Sequence, residues 1–165
     1  MRKIFIYLLC CLTILFSDCY SFRGTSIPPE VSTFFVSPIL LESYDVPSNL
    51  PVVMAEKLRN KIRNESRLKY TENEPDIEFQ GKLTGFRVSP VAPSNNQASQ
   101  SNRLEITLSI DYIDHKNIKN NWKNNFTFFQ DFSSDINFLD VRDVLADKIF
   151  DQLAEDIFNR AFSNW

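Results

Sequence analysis

Ten consecutive residues alternate without a break: Leu104, Ile106, Leu108, Ile110 and Tyr112 point one way, and Arg103, Glu105, Thr107, Ser109 and Asp111 the other. Successive β-strand side chains face opposite sides of a sheet, so this run is a strand with one buried and one wet face. A slip of one residue would carry every apolar group into water. The register is therefore fixed, and a second layer must cover the apolar side.

The rest of the chain supplies that layer and the neighbouring strands. Val31 to Val36 is β-branched and aromatic between Pro29 and Pro38, a first strand. Leu50, Met54, Leu58 and Ile62 recur every fourth position, with Pro51 tolerable in a first turn after Ser48 or Asn49, which predicts a helix. Its outer face is basic, with Lys57, Arg59, Lys61 and Arg63. From Ile77 the apolar residues run Ile77, Phe79, Leu83 and then change phase to Phe86 and Val88, the signature of a β-bulge beside Gly85. Trp122, Phe126, Phe128 and Phe132 repeat the alternation in a further strand. Val141, Leu145, Ile149, Leu153, Ile157 and Ala161 predict a long helix over Phe138 to Phe162, a stretch without Gly or Pro. Its polar side is acidic, with Asp140, Asp143, Asp147, Asp151, Glu155 and Asp156.

The order is β-α-β-β-β-α. The expected fold class is α+β: a two-layer sandwich in which a mixed sheet of about four strands carries both helices on one face. A basic first helix beside an acidic second one is electrostatically complementary.

Arg2 and Lys3 precede an apolar run from Ile4 to Phe16 that is too short to span a bilayer and reads as a signal peptide. All the cysteines, Cys10, Cys11 and Cys19, lie at this end, so no disulfide framework forms in the body. Cys19 follows the apolar run where lipoprotein processing cuts, which predicts a leader over 1–18, a lipidated tether over 19–30 that Pro28-Pro29 keeps extended, and one domain over 31–165. Two or three acyl chains on Cys19 give stable anchoring at about 0.8 kcal/mol per buried methylene. Losing 18 of 165 residues leaves 147, and removing two positive charges and one negative takes the net charge from −3 to −4. A mildly acidic domain without a basic tail is a poor nucleic-acid partner.

Catalytic chemistry has little to draw on. The single histidine, His115, falls in a predicted turn, and the three glycines, Gly24, Gly81 and Gly85, do not make a phosphate loop. Asp140, Asp143, Asp147 and Asp151 lie along one helical side, which reads as a solvated face. No enzyme, metal site or cofactor is expected.

Several stretches together resemble the lipopolysaccharide-assembly lipoprotein family, LptE, in its Bacteroidetes branch. They are Cys19-Tyr20-Ser21-Phe22 with Gly24-Thr25-Ser26-Ile27-Pro28; Gly81-Lys82-Leu83-Thr84-Gly85-Phe86 leading into Val88-Ser89-Pro90-Val91-Ala92-Pro93; Asn102-Arg103-Leu104; and Glu155-Asp156-Ile157-Phe158-Asn159-Arg160-Ala161 with Asn164-Trp165. One departure is Asp18, where relatives usually have a small residue. The resemblance implies an outer-membrane, periplasm-facing lipoprotein that plugs the LptD β-barrel, assists its assembly and aids lipopolysaccharide delivery to the outer leaflet.

On that resemblance the segment from Pro90 to Asn102, beginning Pro90, Val91, Ala92 and Pro93, is the loop that enters the barrel lumen. Lipopolysaccharide carries phosphates and acyl chains, and by position Lys82, Arg87 and Arg103 are the cations expected to meet it. Two other readings fit the same residues: a generic outer-membrane-anchored lipoprotein that binds another periplasmic protein, and a hydrolase using the carboxylates of the final helix.

Overall fold

The computed structural model describes residues 26–42, 46–91 and 100–163. The leader, Cys19, the tether up to Thr25, and Ala92 and Pro93 of the expected loop lie outside the described residues. In chain order the elements are β1 (Thr33–Val36), β2 (Leu40–Leu41), α1 (Leu50–Glu65), β3 (Lys69–Tyr70), β4 (Ile77–Val91), β5 (Ser101–Asp114), a 3-10 turn (Ile118–Asn120), β6 (Trp122–Ser133) and α2 (Phe138–Phe162). The four expected strands and both helices are present. The two-residue β2 and β3 are additions, too short to leave a periodic signal.

The strands form one mixed sheet in the order β3-β1-β4-β5-β6, with β2 also pairing β4. β1 runs parallel to β3 and β4, and β2 runs parallel to β4. β4, β5 and β6 form an antiparallel meander of long strands. The register of β4 on β5 shifts between Leu83 and Gly85, so the phase change in the sequence is a bulge. Beyond Leu83 neither β1 nor β2 reaches β4, and among the described residues no other strand pairs that side of it. This is why Pro90 and Val91 continue the strand, paired with Asn102 and Ser101: a proline is tolerated where no neighbour needs its missing N–H. The loop expected from Pro90 to Asn102 is thus shorter than its composition suggested.

Both helices cover the apolar face. Leu104, Ile106, Leu108 and Ile110 of β5 are fully buried together with Phe34, Phe79 and Leu83, beneath Met54, Leu58 and Ile62 of α1 and Ile149, Phe150 and Leu153 of α2. Burying each such side chain contributes about 1.5–3 kcal/mol. α2 begins at Asn137, whose side chain accepts from the Leu139 N–H at 3.1 Å, with Asp140 in its first turn and Arg160 in its last, as the helix dipole favours. Between the helices, Lys57 reaches Asp147 at 2.7 Å and Asp151 at 2.6 Å, and Lys61 pairs with Glu155 as well as with Glu65 of its own helix. The complementarity of the two helices is real, although such half-exposed pairs contribute only about 0–1 kcal/mol each.

The tether does not run free up to Glu30. Ser26 donates its N–H to Phe162 O at 2.7 Å, Ile27 packs on the core, and Arg67 donates to Pro28 O at 2.6 Å. The chain is therefore docked at the C-terminal end of α2 before β1 begins.

Gly81 sits on the core face of β4 beneath the crossing into β2, where a Cβ would lie 2.8 Å from Ile39 Cγ1. Gly81→Val is expected to lower unfolding free energy by about 1–3 kcal/mol through overpacking. Urea denaturation checks it, and a Gly81→Ala, Ile39→Ala pair should lose less than the sum of its single changes.

Candidate functional site

The face of the sheet turned away from the helices is polar and laced across the strands. Arg87 of β4 lies opposite Glu105 of β5 and bonds it at 2.7 Å. Arg103 grips both oxygens of Asp131 on β6, at 2.7 and 2.9 Å, and its guanidinium stacks 3.6 Å over the ring of Phe129. Lys123 pairs with Asp111 at 2.9 Å, and the hydroxyls of Thr107 and Thr127 meet at 3.0 Å. The paired guanidinium holds the Asp131 carboxyl below its ordinary range, and the same bond raises Arg103.

The three cations singled out in the sequence are all on this face, and each already holds a carboxylate. Lys82 bonds Glu42 at 2.7 Å, away from the other two. Arg87 and Arg103 flank Glu105 at the end of the sheet that carries the β4–β5 loop. Arg103 is a cross-strand clamp by geometry. Arg87 is the cation free to exchange partners, because its side chain is 68% exposed.

The carboxylates of the final helix are engaged elsewhere. Asp147 and Asp151 hold Lys57, and Asp143 bonds the neighbouring Arg142 at 2.9 Å. His115 lies in the turn after β5, as expected, 3.6 Å from Glu78. Among the described residues no group of three His, Cys, Asp or Glu side chains could hold a metal ion.

Two features escaped the sequence reading. The first is a 330 Å³ cleft walled by Phe35 of β1, Pro38 just after it, and Val52 and Ala55 of α1, with Arg59 stacked 4.7 Å over Tyr70 at its rim. Its walls come from distant segments, so no local pattern announces it. It could take an apolar group, and Arg59 at its rim is bonded to Glu56.

The second is Asp76, which ties the start of β4 to β1 and to the turn after β5. Its Oδ2 accepts from Ser32 N–H at 2.8 Å, Ser32 hydroxyl at 3.0 Å and Thr33 N–H at 3.0 Å, while Lys116 approaches its Oδ1 at 3.0 Å. The Ser32 N–H bond leads in holding the carboxyl far below its ordinary 3.8, against the opposing effect of burial. A depressed carboxyl stabilises the fold above its ordinary value, and that contribution drains away as the pH falls below about 4. Asp76→Asn should cost about 1–3 kcal/mol at neutral pH and shallow the loss of stability on acidification. Urea midpoints measured from neutral to strongly acid pH check this; parallel curves for the two proteins would assign the acid loss to other groups.

Comparison with known proteins adds a family and a fold. Residues 33–161 match the lipopolysaccharide-assembly family, LptE. No curated protein matches the chain in sequence. Among solved structures, a minor lipoprotein of Acinetobacter baumannii is 10% identical with a TM-score of 0.51, over 78% of this chain and 91% of that one. A hypothetical protein of Chlamydia trachomatis is 7% identical with a TM-score of 0.51, over 79% and 98%. A protein of Xanthomonas campestris is 8% identical with a TM-score of 0.54, over 81% and 88%. At these identities the likeness concerns the fold.

Proposed function

Because the chain belongs to the lipopolysaccharide-assembly family LptE, we propose that it is a lipid-anchored, non-enzymatic subunit of the outer-membrane lipopolysaccharide-assembly machine. Acyl chains on Cys19 hold it to the periplasmic side of the outer membrane, and the folded domain seats as a plug and assembly partner inside the LptD barrel.

The observation that carries the barrel reading is the relation between the docked tether and the long hairpin. Ser26 is bonded to Phe162, whose ring packs 6.1 Å from Phe79 at the start of β4. Six residues lie between Cys19 and Ser26, so the chain lets the anchor lie no more than about 25 Å from that pole. From Phe79, β4 runs twelve residues to Val91, about 40 Å at the rise of a β-strand. The strand ends Val91 and Ser101 are therefore at the opposite pole, at a distance comparable with the 40–45 Å of a bilayer including its headgroups. A domain anchored at the inner leaflet by one pole reaches toward the outer leaflet with the other.

The polar sheet face suits a barrel lumen, whose interior is itself polar. Pro90 and Val91 lead the loop with Ala92 and Pro93 into that lumen. Lys82, Arg87 and Arg103 are the proposed contacts for lipopolysaccharide phosphates, with Arg87 the leading one because a phosphate can replace Glu105 as its partner.

Affinity purification of the tagged full chain from detergent-solubilised outer membranes should recover a β-barrel of the LptD type; recovery of the chain alone would remove the plug reading. Cys19→Ser should move the protein out of the membrane fraction. Arg87→Ala should lower lipopolysaccharide retention several-fold while changing stability by less than about 0.5 kcal/mol, as for an exposed position. Unchanged retention would take Arg87 out of the site.

A further inference from the structure

The two edges of the sheet are built differently. One is cut down to the two-residue β3 and β2. The other, β6, is twelve residues long and pairs β5 in continuous register from Trp122 to Ser133. Natural edges are blunted by proline, bulges, inward-pointing charge or brevity. β6 has none of these: it contains no Pro or Gly, its charges, Lys123 and Asp131, point to the wet face, and its helix-side residues are Trp122, Asn124, Phe126, Phe128, Gln130 and Phe132. Among the described residues β6 has no neighbour beyond β5. An edge this long, unbroken in register and aromatic is a template for another strand.

The sequence of β6 also says which strand fits. Let it meet a second copy of itself antiparallel, with Thr127 opposite Thr127. On the wet face Lys123 then falls opposite the partner's Asp131, and Asn125 opposite the partner's Phe129. On the helix side Trp122 meets the partner's Phe132, Phe126 meets the partner's Phe128, and Asn124 meets the partner's Gln130. Every pair joins like with like in polarity or opposite charges, apart from the amide beside Phe129, and aromatic and opposite-charge pairs across strands are favourable. Centring instead on Phe126 or Phe128 places Lys123 opposite Phe129 or Ser133 and loses the charge match. Within each copy Lys123 already bonds Asp111 and Asp131 already bonds Arg103. The seam therefore completes a row of alternating charge, Asp111, Lys123, the partner's Asp131, the partner's Arg103, across both sheets. A two-fold axis normal to the sheet keeps both helix layers on one side and both polar faces on the other.

We propose that, in the chain not seated in a barrel, the β6 edge is a homodimer seam, in which two copies pair antiparallel about Thr127 into one continuous sheet. The inference rests on the strand and its pairing pattern and does not depend on the barrel reading.

Single cysteines test the register. At the dyad, Thr127→Cys faces its own copy within the Cα separation that a disulfide needs, about 4.4–6.8 Å. Asn125→Cys and Phe129→Cys each face the other's position, and their own copies are about 13 Å away along the strands. The full chain, purified in detergent and oxidised, is run on a non-reducing gel beside the unsubstituted chain. Thr127→Cys should give a disulfide-linked dimer at least about fivefold above either flanking variant alone, and mixing the two flanking variants should restore cross-linking. The proposal is overturned if Thr127→Cys stays monomeric, if all three single variants cross-link alike, or if its adduct is with a different protein.

Discussion

The whole arrangement hangs on the buried face of β5. Its apolar residues are fully buried between β4 and β6, with α2 packed over β5 and β6 and α1 packed over β1 and against α2. Apolar burial is the largest favourable term in folding and has no preferred direction; direction comes from the strict alternation, which lets only one register bury that face. Once β5 is placed, the antiparallel register places β4 and β6, and the helices have one surface left to cover. The bulge at Gly85 belongs to the same logic, because it lets Phe86 and Val88 return to the helix side after the phase change.

Polar groups act at the margins of that core and give the molecule its ends. At one pole Asp76 gathers the starts of β1 and β4, and Ser26 is tied to the last turn of α2. At the other, β4, β5 and β6 run on as a three-stranded blade with Arg87, Glu105, Arg103 and Asp131 interlocked on its wet face. Pairing each cation with a carboxylate on the adjacent strand keeps an exposed sheet face polar without leaving it strongly charged.

Much of this was legible from the residues. The bounds of α2, the buried faces of α1, β5 and β6, the bulge and the opposed charges of the helices all follow from periodicity, a property of neighbours in sequence. The short strands β2 and β3 were not legible, because two residues carry no period. Composition alone places Pro90 in a loop, and its place in β4 depends on β1 and β2 pairing that strand no further than Leu83. The cleft beside Arg59 and the role of Asp76 were invisible for the same reason: their parts come from segments dozens of residues apart.

The sequence by itself determined which faces are wet and which are dry, where α2 starts and stops, and that a cysteine follows a short apolar run. These are local matters, decided by side-chain spacing and backbone preference. Only the tertiary structure decided which cations keep a free hand, which edge of the sheet stays open, and which pole the tether leaves from. Those depend on what a distant segment brings alongside, and pairing across a sheet is set by the closure of the whole core.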